Sequence, residues 1–167
     1  MDAKSRILAT LHGEARDEVP WYSYTGLVPR GQVERELRNR GMALMATVLV
    51  YTAETPNVQV SRREVWEGGE RFIYRTIHTP VGETTEKRRV EPGYGSEWAV
   101  EHLIRRPEDY RVIEFMIRDT RLTENYAAIR DMERDLGSDG VVMGRATRSP
   151  YQQMFIELMG IERLVLD

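Results

Sequence analysis

Along this chain the spacing of apolar residues switches between the helical and the strand period, and the switches mark the elements. From Ala3 to His12, Ile7, Leu8 and Leu11 fall on one face of a short helix, with Asp2 as N-cap and Gly13 as stop. Val19 to Thr25 has the aromatic and β-branched content of a strand, and Pro20 stands near its start, where a missing N–H is tolerated. After a loop from Gly26 to Gly31, Gln32 to Arg40 reads as a charged helix carrying Val33 and Leu37, ended by Gly41. Between Thr47 and Arg89 the period becomes two. Four strands are predicted there: Thr47 to Thr52, Val58 to Trp66, Arg71 to His78 and Glu83 to Arg89. Gly68 and Gly69 supply one hairpin turn, and Pro80 and Gly82 mark another. The whole is an antiparallel meander with polar outer faces, its charges read as an ordinary solvated surface.

Glu91 to Ser96 is the best linker candidate, followed by a further strand near Trp98 to Ile104. Pro107 opens a helix with Tyr110, Ile113, Phe115, Met116 and Ile117 on a broad apolar face, and a second helix runs from Glu124 to Leu136, stopped by Gly137. Val141 to Met143, between Gly140 and Gly144, is too short for a helix and reads as a buried strand. Ser149 as N-cap and Pro150 as first helical residue then start a helix to about Leu158, with Gly160 as its stop. Ile161 to Asp167 reads as another helix or the approach to one.

A strand feeding a loop and then a helix is the repeating unit of α/β sheets and barrels, in which sites gather at the carboxyl ends of strands. Arg145, Thr147 and Arg148 stand at that end of the Val141 strand, and Tyr22 and Tyr24 share one side of the first strand by alternation. If that side is a barrel interior, the tyrosines line a pocket for a planar or methylated ligand, and Arg145 or Arg148 holds a phosphate or carboxylate. The plainer alternative makes the tyrosines core packing and pairs the arginines with Asp135 or Asp139. Catalytic residues stay unassigned.

With 24 basic and 27 acidic residues the chain has a formal net charge of −3, so no global field favours nucleic acid or an anionic membrane. No run is long and apolar enough to span a bilayer, and a cytoplasmic protein is expected. Cysteine is absent, and the three histidines, His12, His78 and His102, have no metal-ligand spacing, so no metal site is expected in this chain. Phosphate-loop, dinucleotide and nucleophile-elbow motifs are absent. Asp131 and Asp135 share a helix face without a partner histidine, and the basic run Lys87 to Arg89 has no interleaved aromatics.

Three segments carry a family resemblance. Gly144 to Gly160, with its Ser-Pro-aromatic centre, resembles the Gly-x-x-x-Ala-Pro-aromatic segment of the uroporphyrinogen decarboxylase superfamily, which includes cobamide-dependent methyltransferases. Ser5 to Glu14, followed by Asp17 to Pro20, is similar to that superfamily's opening helix and first strand. Thr79 to Glu86 resembles the Thr-Pro-x-Gly-Thr segment of the methyltransferase-like branch. Their order and spacing cover nearly the whole chain.

The resemblance implies an α/β fold, the N-terminal part of a TIM-type (β/α)8 barrel with an inserted antiparallel β-meander. Such barrels run to about 250 residues, so the 167 residues here are expected to be the front half. The expected layout is one partial barrel domain: the opening helix, first strand and helix over 1–46, the meander over 47–91, and helices with the next strand–helix unit over 98–167. The intact family member would transfer a methyl group from a cobamide, carried by a corrinoid protein, to a thiol held at zinc. Zinc would be bound through His-x-Cys and a distant Cys of the second half, so this chain is expected to be inactive alone and to bind neither cofactor by itself.

Decarboxylases of the family follow their first-strand Val-Pro with two arginines for the substrate's carboxylates; Thr25 and Pro29 stand at those positions here, and Ile156 replaces a substrate-facing tyrosine. One alternative is therefore a divergent decarboxylase of porphyrin metabolism whose anion sites moved to Arg30, Arg145 and Arg148. The other is a non-catalytic binding or assembly module that uses exposed sheet edges, with homo-oligomerisation left open.

Overall fold

In the computed structural model, which describes residues 1–15, 17–93 and 95–166, the chain first runs α1 (Ala3–Leu11), β1 (Tyr22–Tyr24), α2 (Gln32–Asn39) and β2 (Ala43–Leu49). Then come β3 (Tyr51–Glu54), β4 (Gln59–Glu67), β5 (Glu70–Thr79), β6 (Gly82–Val90), β7 (Glu97–Glu101), α3 (Asp109–Asp119) and β8 (Arg121–Glu124). It ends with α4 (Tyr126–Leu136), β9 (Gly140–Arg145), α5 (Pro150–Gln153), a π-helical turn at Met154–Leu158 and α6 (Ile161–Leu166). The sheets are β1-β2-β9, β3-β8 and β4-β5-β6-β7. Two units result, one of Met1–Thr52 with Thr123–Thr147, the other of Ala53–Leu122 with Arg148–Asp167.

The first unit is built on parallel pairing. β2 lies between β1 and β9, parallel to both, so the strands stand in chain order with no reversal. Met42, Leu44 and Ala46 alternate onto one face, where Leu37 of α2 and Met132 and Leu136 of α4 pack against them. Both crossover helices thus cover the same face. Buried Glu34 is held by Arg38 (2.6 Å), which also reaches Asp139 (2.5 Å) and so ties α2 to the approach of β9. These bonds, that to Glu34 foremost, hold the Arg38 guanidinium above its ordinary pKa. The expected capping of α1 is present, since the Asp2 carboxylate accepts from the Ser5 backbone N–H at 2.7 Å.

The second unit contains an antiparallel meander, as expected, of which three strands match the expected ones, together with helical segments that share its core of Ile77, Leu103, Ile104, Val112, Ile113, Leu158 and Met159. Its fourth strand is β7, so Glu91 to Ser96 is a turn between paired strands, not a linker; Tyr94 within it lies outside the described residues. The expected strand Thr47 to Thr52 is divided. Its first part belongs to β2, which starts earlier and pairs in the parallel sheet, and Val50 bends the chain into β3. The helix expected to reach Leu158 begins as predicted, with a capping box between Ser149 and Gln152, but widens to the π turn, where the Met159 N–H donates to the Met154 carbonyl at 2.9 Å.

The architecture is mixed α/β, with separate parallel and antiparallel sheets. No closed eight-stranded parallel barrel is formed by the described residues: three parallel strands leave two edges, and closure takes the tilt and number of a full ring.

Candidate functional site

Residues that face each other across a parallel pair point to the same side of the sheet. The register sets Tyr22 beside Ala43 and Tyr24 beside Met45, then Met45 beside Val141, Thr47 beside Met143 and Leu49 beside Arg145. Tyr22, Tyr24 and Arg145 therefore share one face of the first unit, the one opposite α2 and α4. Parallel sheets are ordinarily covered on both sides. Here Tyr22 is 49 %, Tyr24 40 % and Met143 42 % exposed, and Thr47 and Arg145 are exposed too.

The two tyrosine rings meet edge to face, with centroids 6.0 Å apart, which braces both without burying either. They are not core packing. Arg145 ends β9 at the carboxyl edge, and its guanidinium has no hydrogen-bond or ion-pair partner among the described residues. Five N–H donors in a planar fork with nothing to bind make it suited to a carboxylate or phosphate. Just beyond, the Thr147 backbone N–H donates to the Tyr51 hydroxyl at 3.3 Å, and the two side-chain hydroxyls share a bond of 2.6 Å. That pair fixes the loop leaving β9.

Arg148 belongs to the second unit. It pairs with Glu157 at 2.7 Å and lines a groove of about 520 Å³ with Arg62, Arg75, Arg88, Glu86 and Glu97. Every arginine of this groove is already paired: Arg75 and Arg88 with buried Glu86, Arg88 and Arg62 with Glu97. It is a cross-strand ion network. Asp135 and Asp139 take Arg30 and Arg38 as partners, not Arg145 or Arg148.

Met45, Thr47 and Met143 were missed as members of the open face. The signal was present, because Met143 lies two residues before Arg145, but which strand pairs with which is not written in the spacing. Among the described residues no group of three or more His, Cys, Asp or Glu side chains is placed to hold a metal, and no helix is long and apolar enough to cross a membrane. Comparison with known protein families, with curated proteins and with solved structures gives no match for this chain.

Proposed function

We propose that the first unit is the opening part of a singly wound α/β barrel of the uroporphyrinogen decarboxylase superfamily, methyltransferase-like branch. In this reading Tyr22, Tyr24, Arg145 and Thr147 form one wall of a ligand chamber that further β/α units complete. The observation that carries it is the exposed part of the second face: the strands follow chain order, both crossover helices cover one side, and the other side bears the half-exposed tyrosine pair and Arg145, which has no partner among the described residues. Doubly wound sheets reverse strand order at their binding crevice, whereas a barrel keeps its order and turns its uncovered face inward.

The tyrosine rings offer apolar surface and edges to a planar ligand, and Arg145 holds an anionic group at the chamber mouth. The chain's own residues do not fit zinc, having neither Cys nor a suitable cluster among the described residues, so no step is routed through the metal. Methyl transfer is accordingly assigned to the completed enzyme. A decarboxylase acting on a polycarboxylate tetrapyrrole is the weaker reading, because Arg30 and Arg148 are committed to Asp135 and Glu157.

Absorbance titration of the purified chain separates the readings. A planar aromatic carboxylate should bind, with affinity falling about tenfold in Arg145→Ala, the worth of one charge-assisted hydrogen bond, and falling also in Tyr24→Ala. Added zinc and thiol should produce no methyl transfer. Binding indifferent to both substitutions, or zinc-dependent turnover by this chain alone, would contradict the proposal. Tight binding of a polycarboxylate porphyrin that is lost in Arg148→Ala would favour the decarboxylase.

A further inference from the structure

On the second unit the meander brings together three side chains that the open sheet face does not involve. Ser61 of β4 lies with its Oγ 3.0 Å from His78 Nε2, and His78 Nδ1 lies 2.9 Å from Glu83 Oε2. His78 of β5 and Glu83 of β6 are directly opposite in register, and Ser61 sits one pleat along β4 on the same face. The proton positions follow from chemistry. A carboxylate only accepts, so Nδ1 of the neutral ring is the donor to Glu83; Nε2 is then the acceptor, and the Ser61 hydroxyl donates to it.

We infer that Ser61, His78 and Glu83 form an acyl-transfer site for small activated esters, with Ser61 as nucleophile, His78 as general base and Glu83 as the positioning carboxylate. The order of hydrogen bonds is the one that this chemistry requires on any fold. Attack forms a bond from Ser61 Oγ to the ester carbon while the hydroxyl proton passes to His78 Nε2. Collapse of the tetrahedral intermediate breaks the bond to the leaving alcohol, which takes that proton. Water, deprotonated by His78, then attacks the acyl-serine, releasing the acid and returning the proton to Ser61.

His78 opens onto a groove of about 430 Å³ that Pro56, Asn57, Gln59, Thr79 and Pro80 also line. The Gln59 carboxamide, opposite His78 in register, lines the same groove and has no hydrogen-bond partner among the described residues. β4 is also an edge strand of its sheet, so alternate backbone N–H groups along it have no strand to take them. His78 and Glu83 are 41 % and 67 % exposed, open to water and ester alike.

Reaction of the full chain with an organophosphonyl fluoride, read by peptide mass spectrometry, tests the inference. Ser61 should be modified at least about tenfold faster than Ser23 or Ser149, and His78→Gln should remove that advantage. With p-nitrophenyl acetate a burst of one equivalent is expected, absent in Ser61→Ala, and Glu83→Gln should lower kcat with little change in KM. These side chains stand on an exposed face, and circular dichroism is the check that each variant is folded. Modification of Ser61 no faster than of the other serines, or unchanged in His78→Gln, would overturn the site and leave the open face of the parallel sheet untouched.

Discussion

At Gly140 a single hydrogen atom decides whether the parallel sheet can form. A Cβ built there would stand 2.0 Å from the Leu44 carbonyl oxygen and 2.8 Å from its carbon, both backbone atoms of β2 that cannot step aside without parting the strands. Gly140→Ala should therefore lower stability by about 2 kcal/mol or more, as overpacking does in a closed core, seen as a lower urea midpoint. An unchanged midpoint would mean that β2 and β9 do not pair in this register. The glycine itself was legible as a boundary to a buried strand; its role as the point of closest approach was not, because that depends on Leu44, nearly a hundred positions earlier. Tyr22 and Tyr24 gave up more, since alternation alone puts them on one side. That they are exposed, and not core, follows from the missing neighbours on that side.

Elements were readable where one physical signal dominated. Ser149 and Pro150 mark a helix start by hydrogen-bond supply and fixed φ, and the meander's turns are set by glycine. β2 was harder because its first half, Ala43 to Ala46, is a continuous apolar run, the pattern of a strand buried on both faces, and period-two alternation shows only from Thr47 on. The triad spans three strands, so only their register assembles it, and register is not carried by composition. One link between elements is testable by pH. Asp119 at the end of α3 accepts from the Asn57 side-chain amide and backbone N–H, each at 2.8 Å, and both bonds hold its carboxyl below the ordinary range. A depressed folded pKa means that this stabilisation is present above the unfolded value and is lost as pH falls through the folded one. Carboxyl NMR titration should place Asp119 below an exposed aspartate, and Asn57→Ala should move it back up; a normal midpoint in the wild type would remove the link.

For the whole molecule the account rests on an asymmetry within its first unit. One face of β1-β2-β9 is closed by α2 and α4; on the other, Tyr22, Tyr24, Met143 and Arg145 meet solvent, while Ala43 at the start of β2 is buried. The proposed chamber wall needs that face to be open in the isolated chain. The parallel strand order with both crossover helices on one side is what the proposal rests on. Methionines on the two faces report on this directly, Met143 on the open side and Met42 on the closed one, 42 % and 3 % exposed. Dilute purified chain treated with hydrogen peroxide and read by peptide mass spectrometry should show Met143 oxidised nearly as fast as terminal Met1, and Met42 at least about tenfold more slowly. Protection of Met143 to the level of Met42 would mean that the face is covered, and the chamber wall would be lost with it.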